Sequence, residues 1–321
     1  MPSRLRAVLM RLAQAIPVVL GVVLVSFLLT RALPGDPAAY FAGDAATPES
    51  IAATRAKLGL DRSMPEQFLR YCGDLLRGDL GQSLSTGQPV LHELTRRLPA
   101  SLELTLTALL ISCGIAVPLG VLAATRPGSW VDHLCRVLVT AGVSLPTFFT
   151  GVVLIIVFGV KLQWFPSVYD TTLVVRDWNS FLAQVRQMVM PVTVLALYNA
   201  AQISRFMRAS MLDNLGQDYV RTARAKGLGE RKVVLKHVLR NSLIPVVTVI
   251  ALGLPTVFGG AIITEQVFKV NGLGQLLITA INGNDIPMVL TLTFIFAILI
   301  VMFTLIADIL YGVLDPRIRY D

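Results

Sequence analysis

The chain alternates long apolar runs with shorter charged stretches. Crossing a bilayer as a helix takes about 20 mostly apolar residues. Runs suited to such a crossing are found at Leu12–Thr30, Leu102–Ala124, Leu134–Val160, Met188–Met207, Leu243–Ile263 and Met288–Leu314. The first run is longer than the apolar core of a signal peptide, so we expect it to be retained. The pattern predicts an all-α integral membrane protein with six transmembrane helices.

A polar segment, residues 31–98, separates the first two spans and carries helix-boundary signals. Thr47 and Pro48 are residue types that begin helices, and Gly59 is typical of a helix end. Two more short helices are expected, at Glu66–Arg77 and from Pro89 to just before Pro99. We therefore predict a helical segment outside the membrane. The predicted domains are residues 1–100, with this segment, and residues 101–321, a core of five spans.

Composition and charge placement set the class and the orientation. The chain is 54% hydrophobic and only 15% charged, with a net charge of +8, whereas a soluble domain carries about 25% charged residues. With this span assignment, sixteen Lys and Arg residues lie on the side of the two termini and twelve on the other. Eight of those twelve fall in the long 31–98 segment, where the positive-inside rule weakens. Both termini are therefore expected in the cytoplasm. The net positive charge could suggest a nucleic-acid partner, but its placement beside the spans on the cytoplasmic side argues against one.

The longest polar interruption of the second half, about residues 208–241, has an internal pattern. Val220, Ala223 and Gly227 recur at helical spacing and predict one small, nearly flat face. Small side chains allow another protein to approach a backbone closely. A docking platform is one interpretation. A basic loop lying on anionic lipid is the other, and spacing alone does not separate them.

A second helix is predicted after this loop. Lys232, Lys236 and Arg240 fall at i, i+4 and i+8 on one side. The apolar side is formed by Val234, Leu235 and Val238. This basic amphipathic helix is compatible with either interpretation.

Motifs of catalysis are missing from the sequence. It contains no GxxxxGK[ST] phosphate loop, no HExxH and no GxSxG. The three histidines and three cysteines are scattered, so neither a metal site nor a disulfide framework is expected. Glu103 and Asp308 lie near the ends of spans, where solvated anchoring is the favoured role. We expect this chain to bind no cofactor itself.

Mild polar side chains are available to line a translocation path. The candidates are Ser144, Thr147, Tyr198, Asn199, Gln202 and Thr256. Hydrogen bonding between helices explains the same residues equally well. The loop Glu265–Pro287 is either a flexible arm reaching an external partner or an inert connection.

Several motifs together resemble a known family. They are Leu33-Pro34-Gly35-Asp36-Pro37, Leu58-Gly59-Leu60-Asp61, Leu76-Arg77-Gly78-Asp79-Leu80-Gly81, Arg97-Leu98-Pro99-Ala100-Ser101-Leu102-Glu103-Leu104, Tyr219–Gly227, Leu239-Arg240-Asn241-Ser242-Leu243-Ile244-Pro245, Asn271-Gly272-Leu273-Gly274 and Leu314-Asp315-Pro316-Arg317-Ile318-Arg319-Tyr320. The chain resembles, over nearly its whole length, the inner-membrane permease subunits of bacterial ABC importers in the dipeptide/oligopeptide/nickel family, specifically the first of their two permease chains.

The resemblance implies an ATPase-coupling loop. Its residues are Tyr219, Val220, Arg221, Thr222, Ala223, Arg224, Ala225, Lys226, Gly227, Leu228 and Gly229. The small residue and the glycine of the family motif map to Ala223 and Gly227, whereas its acidic position is Arg221 here. The implied partners are a second permease chain, two cytoplasmic ATPase subunits that hold ATP and Mg²⁺, and an extracytoplasmic solute-binding protein that the 265–287 loop could touch.

The favoured function is a bacterial inner-membrane permease subunit for di- and oligopeptides. A subunit of the same kind for nickel or a metal chelate is the alternative within the family. A channel or scaffold without ATP coupling belongs to another class. An intramembrane enzyme would need convergent ionisable groups, which the sequence does not offer.

Overall fold

The computed structural model describes residues 3–32, residue 38 and residues 47–314, and this part of the chain is helical, with a single isolated antiparallel bridge between Gln82 and Pro89. The helices are α1 (Ser3–Ala32), α2 (Pro48–Leu58), α3 (Met64–Leu76), α4 (Val90–Thr125), α5 (Trp130–Ser144), α6 (Thr147–Leu154), α7 (Trp178–Leu215), α8 (Asp218–Ala225), α9 (Leu239–Phe268), α10 (Leu273–Asn282) and α11 (Ile286–Leu314). Two π-helical stretches, Ile155–Lys161 and Val233–Val238, continue α6 and lead into α9. A three-residue α-helical segment, Glu230–Lys232, precedes the second of them. The motif stretches at 33–37 and 315–320 lie outside the described residues.

The first short helix outside the predicted spans is confirmed with its boundaries. The Thr47 side chain accepts a hydrogen bond from the backbone N–H of Ser50, Pro48 begins α2, and Gly59 ends it with φ +67°. The second is confirmed as α3, where Ser63 and Glu66 form a reciprocal capping box. Local residue chemistry therefore determines where both helices begin and where α2 ends.

The expectation that the third short helix stops before Pro99 is wrong. α4 runs from Val90 through Pro99 to Thr125. Proline removes one helical hydrogen bond at a cost of about 3 kcal/mol. Leu94 and Leu104, before and after Pro99, are both buried, and this packing stabilises the continuous helix.

The third predicted span, Leu134–Val160, is not one straight helix. α5 ends at Ser144, Leu145 is extended, and α6 starts after Pro146. The two helical segments, Trp130–Ser144 and Thr147–Lys161, meet at 103°. Proline disfavours a helical conformation in the residue before it, so the chain breaks at this point. Pro146 therefore marks the position at which this span is bent.

In the described part of the chain, four helices are long and apolar enough to cross a bilayer, and the bent α5–α6 pair makes a fifth if it counts as one span. The apolar stretch of α1, Ala13–Leu29, is shorter than these helices. An all-α membrane protein is thus shown, while the number of six spans stays a prediction.

The contacts divide the chain into two compact units. One is built mainly from Ala100–Gly272 and the other from the described residues of Leu9–Pro99 together with Leu273–Val301. In the first unit α7 packs against both α5 and α9. The predicted domain boundary at residue 100 remains a prediction. It differs from these units in one respect, because it assigned residues 273–301 to the domain of residues 101–321 and not to the unit that contains residues 9–99.

The second unit contains the loop for which a flexible arm was one expectation. Instead, α10 (Leu273–Asn282) is a helix whose Leu273, Leu276 and Ala280 are buried in a cluster with Val90 and Leu94. The flexible-arm interpretation is therefore wrong, because the buried residues Leu273, Gly274, Leu276 and Ala280 give α10 a face that packs.

A buried carboxylate ties two loops of the second unit together. Asp285 accepts hydrogen bonds from the hydroxyls of Ser83 (2.5 Å) and Ser85 (2.8 Å) and from the backbone N–H of Ser85 (3.2 Å). It also accepts a bond from the N–H of Met288 in the first turn of α11. No local sequence pattern predicts this link, because its members are about 200 positions apart.

Candidate functional site

The predicted coupling loop is a short helical excursion between two long helices of the first unit. α7 ends at Leu215, and α8 (Asp218–Ala225) begins two residues after Gly216. The hydroxyl of Tyr219 donates a 2.8 Å hydrogen bond to the side chain of Asn214. α8 is thus tied back to the end of α7 at its first turn.

One side of α8 is buried in this chain's own core. Val220 is 0% exposed and Ala223 is 7% exposed. They belong to a cluster that contains Met207 and Met211 of α7. The cluster also holds Val233, Val234 and Val238 of the π-helical stretch.

This burial corrects the expected orientation of α8. The face formed by Val220 and Ala223 was expected to receive a partner, and that expectation is wrong. α8 has only eight residues, and its strongest apolar side chain is Val220. Packing this side against the neighbouring valines is favourable, because it removes apolar surface from water. Any partner must meet the other side.

The side of α8 that faces solvent is polar and basic. Its exposed residues are Asp218, Arg221, Thr222, Arg224, Ala225, Lys226 and Gly227. Gly227 has φ +77°, and a Cβ placed on it would meet no atom within 4 Å. Its backbone N–H bonds the carbonyl of Arg224 at 2.9 Å and so closes the helix end. A glycine is needed here for its backbone conformation, and the space beside it is open.

An ion pair joins the C-terminal part of α8 to the residue that follows the turn at 226–229. The guanidinium of Arg224 donates to both carboxylate oxygens of Glu230, at 3.0 and 2.6 Å. The hydrogen bond from Arg224 lowers the pKa of Glu230 and the same bond raises the pKa of Arg224. Both side chains are well exposed, so the pair adds little stability, but its two-point geometry fixes the turn at 226–229.

The basic helix that follows is confirmed on its polar side. Lys232, Lys236 and Arg240 are exposed, and Val234 and Val238 are buried. Leu235 was expected on the buried side but is 48% exposed. The stretch Val233–Val238 is a π-helix, whose wider turn shifts the faces relative to the 3.6-residue period. Leu235 lies in an open groove with Gly229, Glu230, Arg231, Lys232 and Lys236.

Two pairs of contacts connect this region to the helix bundle. Ser210 of α7 and Ser242 of α9 exchange hydrogen bonds, each hydroxyl donating to the other's carbonyl at 3.0 and 3.2 Å. Asp132 at the start of α5 is 1% exposed and lies 2.7 Å from Nε of Arg208. These residues were not singled out as a pair from the sequence, because their partners are 32 and 76 positions away.

The predicted path-lining residues separate into three groups. Tyr198, Asn199 and Gln202 together line a cavity of about 150 Å³ in the first unit. Ser144 and Thr147 flank the α5–α6 break and do not line this cavity. The side chain of Thr256 lies outside the described residues. Path lining remains a prediction for all six.

A buried carboxyl group was missed by the sequence analysis. Glu265 of α9 is 1% exposed and accepts a 2.6 Å hydrogen bond from the hydroxyl of Ser101. A Cβ at Gly272 would collide with the same carboxyl group. Ser101 and Gly272 both lie in quoted family motifs, which is the signal that could have led to Glu265. Within the described residues no cluster of three or more His, Cys, Asp or Glu could hold a metal.

Two family models match the chain. Residues 116–320 match the model described as the binding-protein-dependent transport system inner membrane component, and residues 4–105 match the N-terminal model of the same systems' membrane component. The first match includes α8 and the helices before and after it, and the second includes α2 and α3.

Curated relatives are similar over nearly the full length. The chain is 40% identical to the di/tripeptide transport system permease protein of Pseudomonas aeruginosa (strain UCBPP-PA14), with 97% of this chain and 98% of that protein covered. It is 39% identical to the dipeptide transport system permease protein of Escherichia coli (strain K12), with 98% and 99% covered. Identity to the oligopeptide transport system permease protein of Bacillus subtilis (strain 168) is 38%, with 98% and 99% covered.

A solved structure shares the fold. The MetNI methionine ABC transporter in an inward-facing conformation aligns with a TM-score of 0.56 at 22% identity, covering 71% of this chain and 98% of that chain. At this level of identity the likeness concerns the fold only.

Proposed function

The chain belongs to the family of inner-membrane components of binding-protein-dependent transport systems, and we propose that it is a permease subunit through which an ATP-driven importer passes short peptides. The observation that carries the proposal is the near-complete match to peptide permeases at about 39% identity. The names of these relatives favour peptides over nickel or a metal chelate as cargo.

The energy would come from partner subunits. The sequence lacks a phosphate-binding GxxxxGK[ST] loop, so ATP and Mg²⁺ would bind to two cytoplasmic ATPase chains. This chain would hydrolyse nothing itself. A second permease chain would complete the path, and an extracytoplasmic solute-binding protein would deliver the peptide and set most of the specificity.

The 219–229 loop is the proposed point where the ATPase acts. Its exposed side offers Arg221, Thr222 and Ala225, and the groove beside it adds the exposed Leu235. Its buried side is packed into the core through Val220 and Ala223. Because α8 is packed into the core, a force applied to its exposed side would move α7 and α9 together with the loop.

The contacts behind the loop support transmission into the bundle. Ser210 and Ser242 hold α7 to α9, and Arg208 holds α7 to the start of α5. α5 leads directly into the 103° break before α6. We propose that movement of α8 changes the position of this bent pair, and with it access to the cavity at Tyr198, Asn199 and Gln202.

The proposed topology has six spans, both termini in the cytoplasm and the α2–α3 segment outside. The excess of Lys and Arg on the side of the termini supports this orientation. This orientation would place α8 and the basic helix on the cytoplasmic side of a bacterial inner membrane, where the proposed ATPase subunits would bind.

Uptake in cells tests the proposal. A strain that carries the complete importer should accumulate a radiolabelled dipeptide, and deletion of this chain alone should abolish accumulation. Normal uptake of every peptide tested after deletion would overturn the proposed function. A loss of nickel uptake with intact peptide uptake would instead assign the metal cargo.

A further inference from the structure

The second unit contains a cavity that the proposed transport path does not use. It has a volume of about 310 Å³, which falls at the small end of the range typical of ligand sites, roughly 300–1,000 Å³. Its walls are mostly apolar, with Phe27 of α1, Leu84 and Leu290 of α11 among them. The ring of Tyr71 stacks near the ring of Phe27, with 6.4 Å between their centroids.

Three buried polar side-chain atoms of residues that line this cavity lack hydrogen-bond partners among the described residues. They are the Nε donor of Arg31, the side-chain oxygen of Gln67 and the hydroxyl of Tyr71. The Gln67 amide nitrogen already donates to the carbonyls of Leu60 (3.3 Å) and Arg62 (2.8 Å), which fixes the orientation of the amide. Buried polar groups are nearly always hydrogen-bonded in folded proteins. An unmatched donor and an unmatched acceptor in one cavity therefore indicate a ligand that supplies both.

The charges around the cavity are balanced. Arg31 and Arg70 contribute two guanidinium groups, and Asp74 and Asp79 contribute two carboxylates. The guanidinium of Arg31 lies over the face of Phe27, 5.2 Å from its centroid. Asp79 accepts a 2.9 Å bond from the backbone N–H of Gly81, and Asp74 lies 4.0 Å from Arg70. A purely anionic or purely cationic ligand would leave one pair of charges opposed to it.

We propose that this cavity binds a short peptide through its two free termini. The peptide carboxylate would pair with Arg31, and its ammonium group would donate to the Gln67 oxygen and pair with Asp79, which also lines the cavity. An apolar peptide side chain would lie against Phe27, Leu84 and Leu290. The inference rests on the proposed function in one respect only, namely that the zwitterionic ligand available to this protein is a peptide.

An ethanolamine phospholipid carries the same pair of charges and is the rival source. A cavity of about 310 Å³ is comparable in size to a dipeptide, whereas it would hold only the headgroup of such a lipid and would leave the acyl chains outside. The cavity volume therefore favours the peptide, and the experiment separates the two sources.

Direct binding tests the inference without transport. The full chain, in its purified transporter complex with no solute-binding protein present, is placed in nanodiscs made of phosphatidylcholine and phosphatidylglycerol. Binding of radiolabelled Ala-Phe is measured by scintillation proximity. Wild type is compared with Arg31→Gln and Asp79→Asn, and with the control Arg77→Gln, whose guanidinium is 81% exposed and does not line the cavity.

We expect saturable binding to wild type and to Arg77→Gln, and at least about tenfold weaker binding to Arg31→Gln and Asp79→Asn, since a hydrogen bond to a charged group is worth that much. N-acetylated or C-amidated Ala-Phe should bind as weakly. Intact ATPase activity of each variant complex shows that it is folded.

Absence of saturable binding to wild type overturns the inference, as does equal binding to all variants. Phosphatidylethanolamine that copurifies with wild type but not with Arg31→Gln, without peptide binding, also overturns it. None of these results touches the proposed function, because dipeptide uptake by the complete importer is measured separately.

Discussion

Ala223 and Ala225 lie two positions apart on α8 but face opposite ways: Ala223 is 7% exposed inside the core cluster, whereas Ala225 is exposed to solvent. The distinction decides which side of the 219–229 loop a partner can reach. It also offers the same substitution on the two faces of one short helix.

Ala223→Leu should destabilise the protein, and Ala225→Leu should not. Overpacking a filled core costs about 1–3 kcal/mol, so the first variant should unfold at lower temperature in detergent. The second should unfold like wild type but retain less ATPase on the purified complex, because a larger side chain would stand at the proposed docking face. Equal stability of the two variants would show that the buried face has been assigned wrongly.

Arg208→Met should cost about 3 kcal/mol in the free energy of unfolding, because it leaves the buried Asp132 carboxylate without its main partner. Arg136→Met is the matched control. Arg136 also approaches Asp132, at 3.5 Å, but is 53% exposed against 28% for Arg208, so its loss should cost less than about 1 kcal/mol. Thermal unfolding in detergent measures both. Indistinguishable costs would contradict the assigned role of Arg208.

The same carboxylate should give a defined pH dependence. The hydrogen bond from Arg208, followed by that from the backbone N–H of Gly128, lowers the pKa of Asp132 from 3.8 to about 2. A lowered pKa means that the folded state binds the proton more weakly than the unfolded state, so the stabilisation is complete above about pH 4 and is lost as the pH falls towards 2. Asp132→Asn should remove this part of the acid sensitivity. An unfolding midpoint measured from pH 7 to pH 2 with the same profile in both proteins would contradict the prediction.

Local sequence chemistry was enough for several elements of this fold. Thr47, Pro48 and Gly59 determine the ends of α2, and the apolar runs identify the long helices. The spacing of Lys232, Lys236 and Arg240 identifies an exposed basic face. Each of these signals lies within one element and depends on propensity, capping or hydropathy.

Other features depend on packing between distant parts of the chain. Pro99 remains inside α4, although a proline usually ends a helix. The π-helical turn brings Leu235 to the surface, and no 3.6-residue pattern could show that. The partners of Asp132, Ser210, Glu265 and Asp285 are 32 to 202 positions away.

The assignment of the 219–229 loop as the coupling site stays a prediction, but the face expected to meet a partner was wrong, because Val220 and Ala223 are buried. The 219–229 loop was identified from a resemblance, and its small residues were expected to face a partner. Small, mildly apolar residues are suited both to a close docking face and to tight internal packing. The neighbouring valines at 233, 234 and 238 distinguish the two possibilities, because they pack against Val220 and Ala223 and so make this face part of the chain's own core.

The most direct test of the account is the amount of ATPase that copurifies with an affinity-tagged chain carrying Gly227→Arg. Gly227 is exposed, has φ +77° and opens onto free space, and Gly78 shares all three properties in the second unit, so Gly78→Arg is a control with the same backbone strain. We predict that Gly227→Arg inserts into the membrane but loses at least about tenfold of the bound ATPase, since a bulky charge would hold the docking surface away, while Gly78→Arg retains the wild-type amount. Wild-type retention of ATPase by Gly227→Arg would contradict the proposal that this loop receives the driving force.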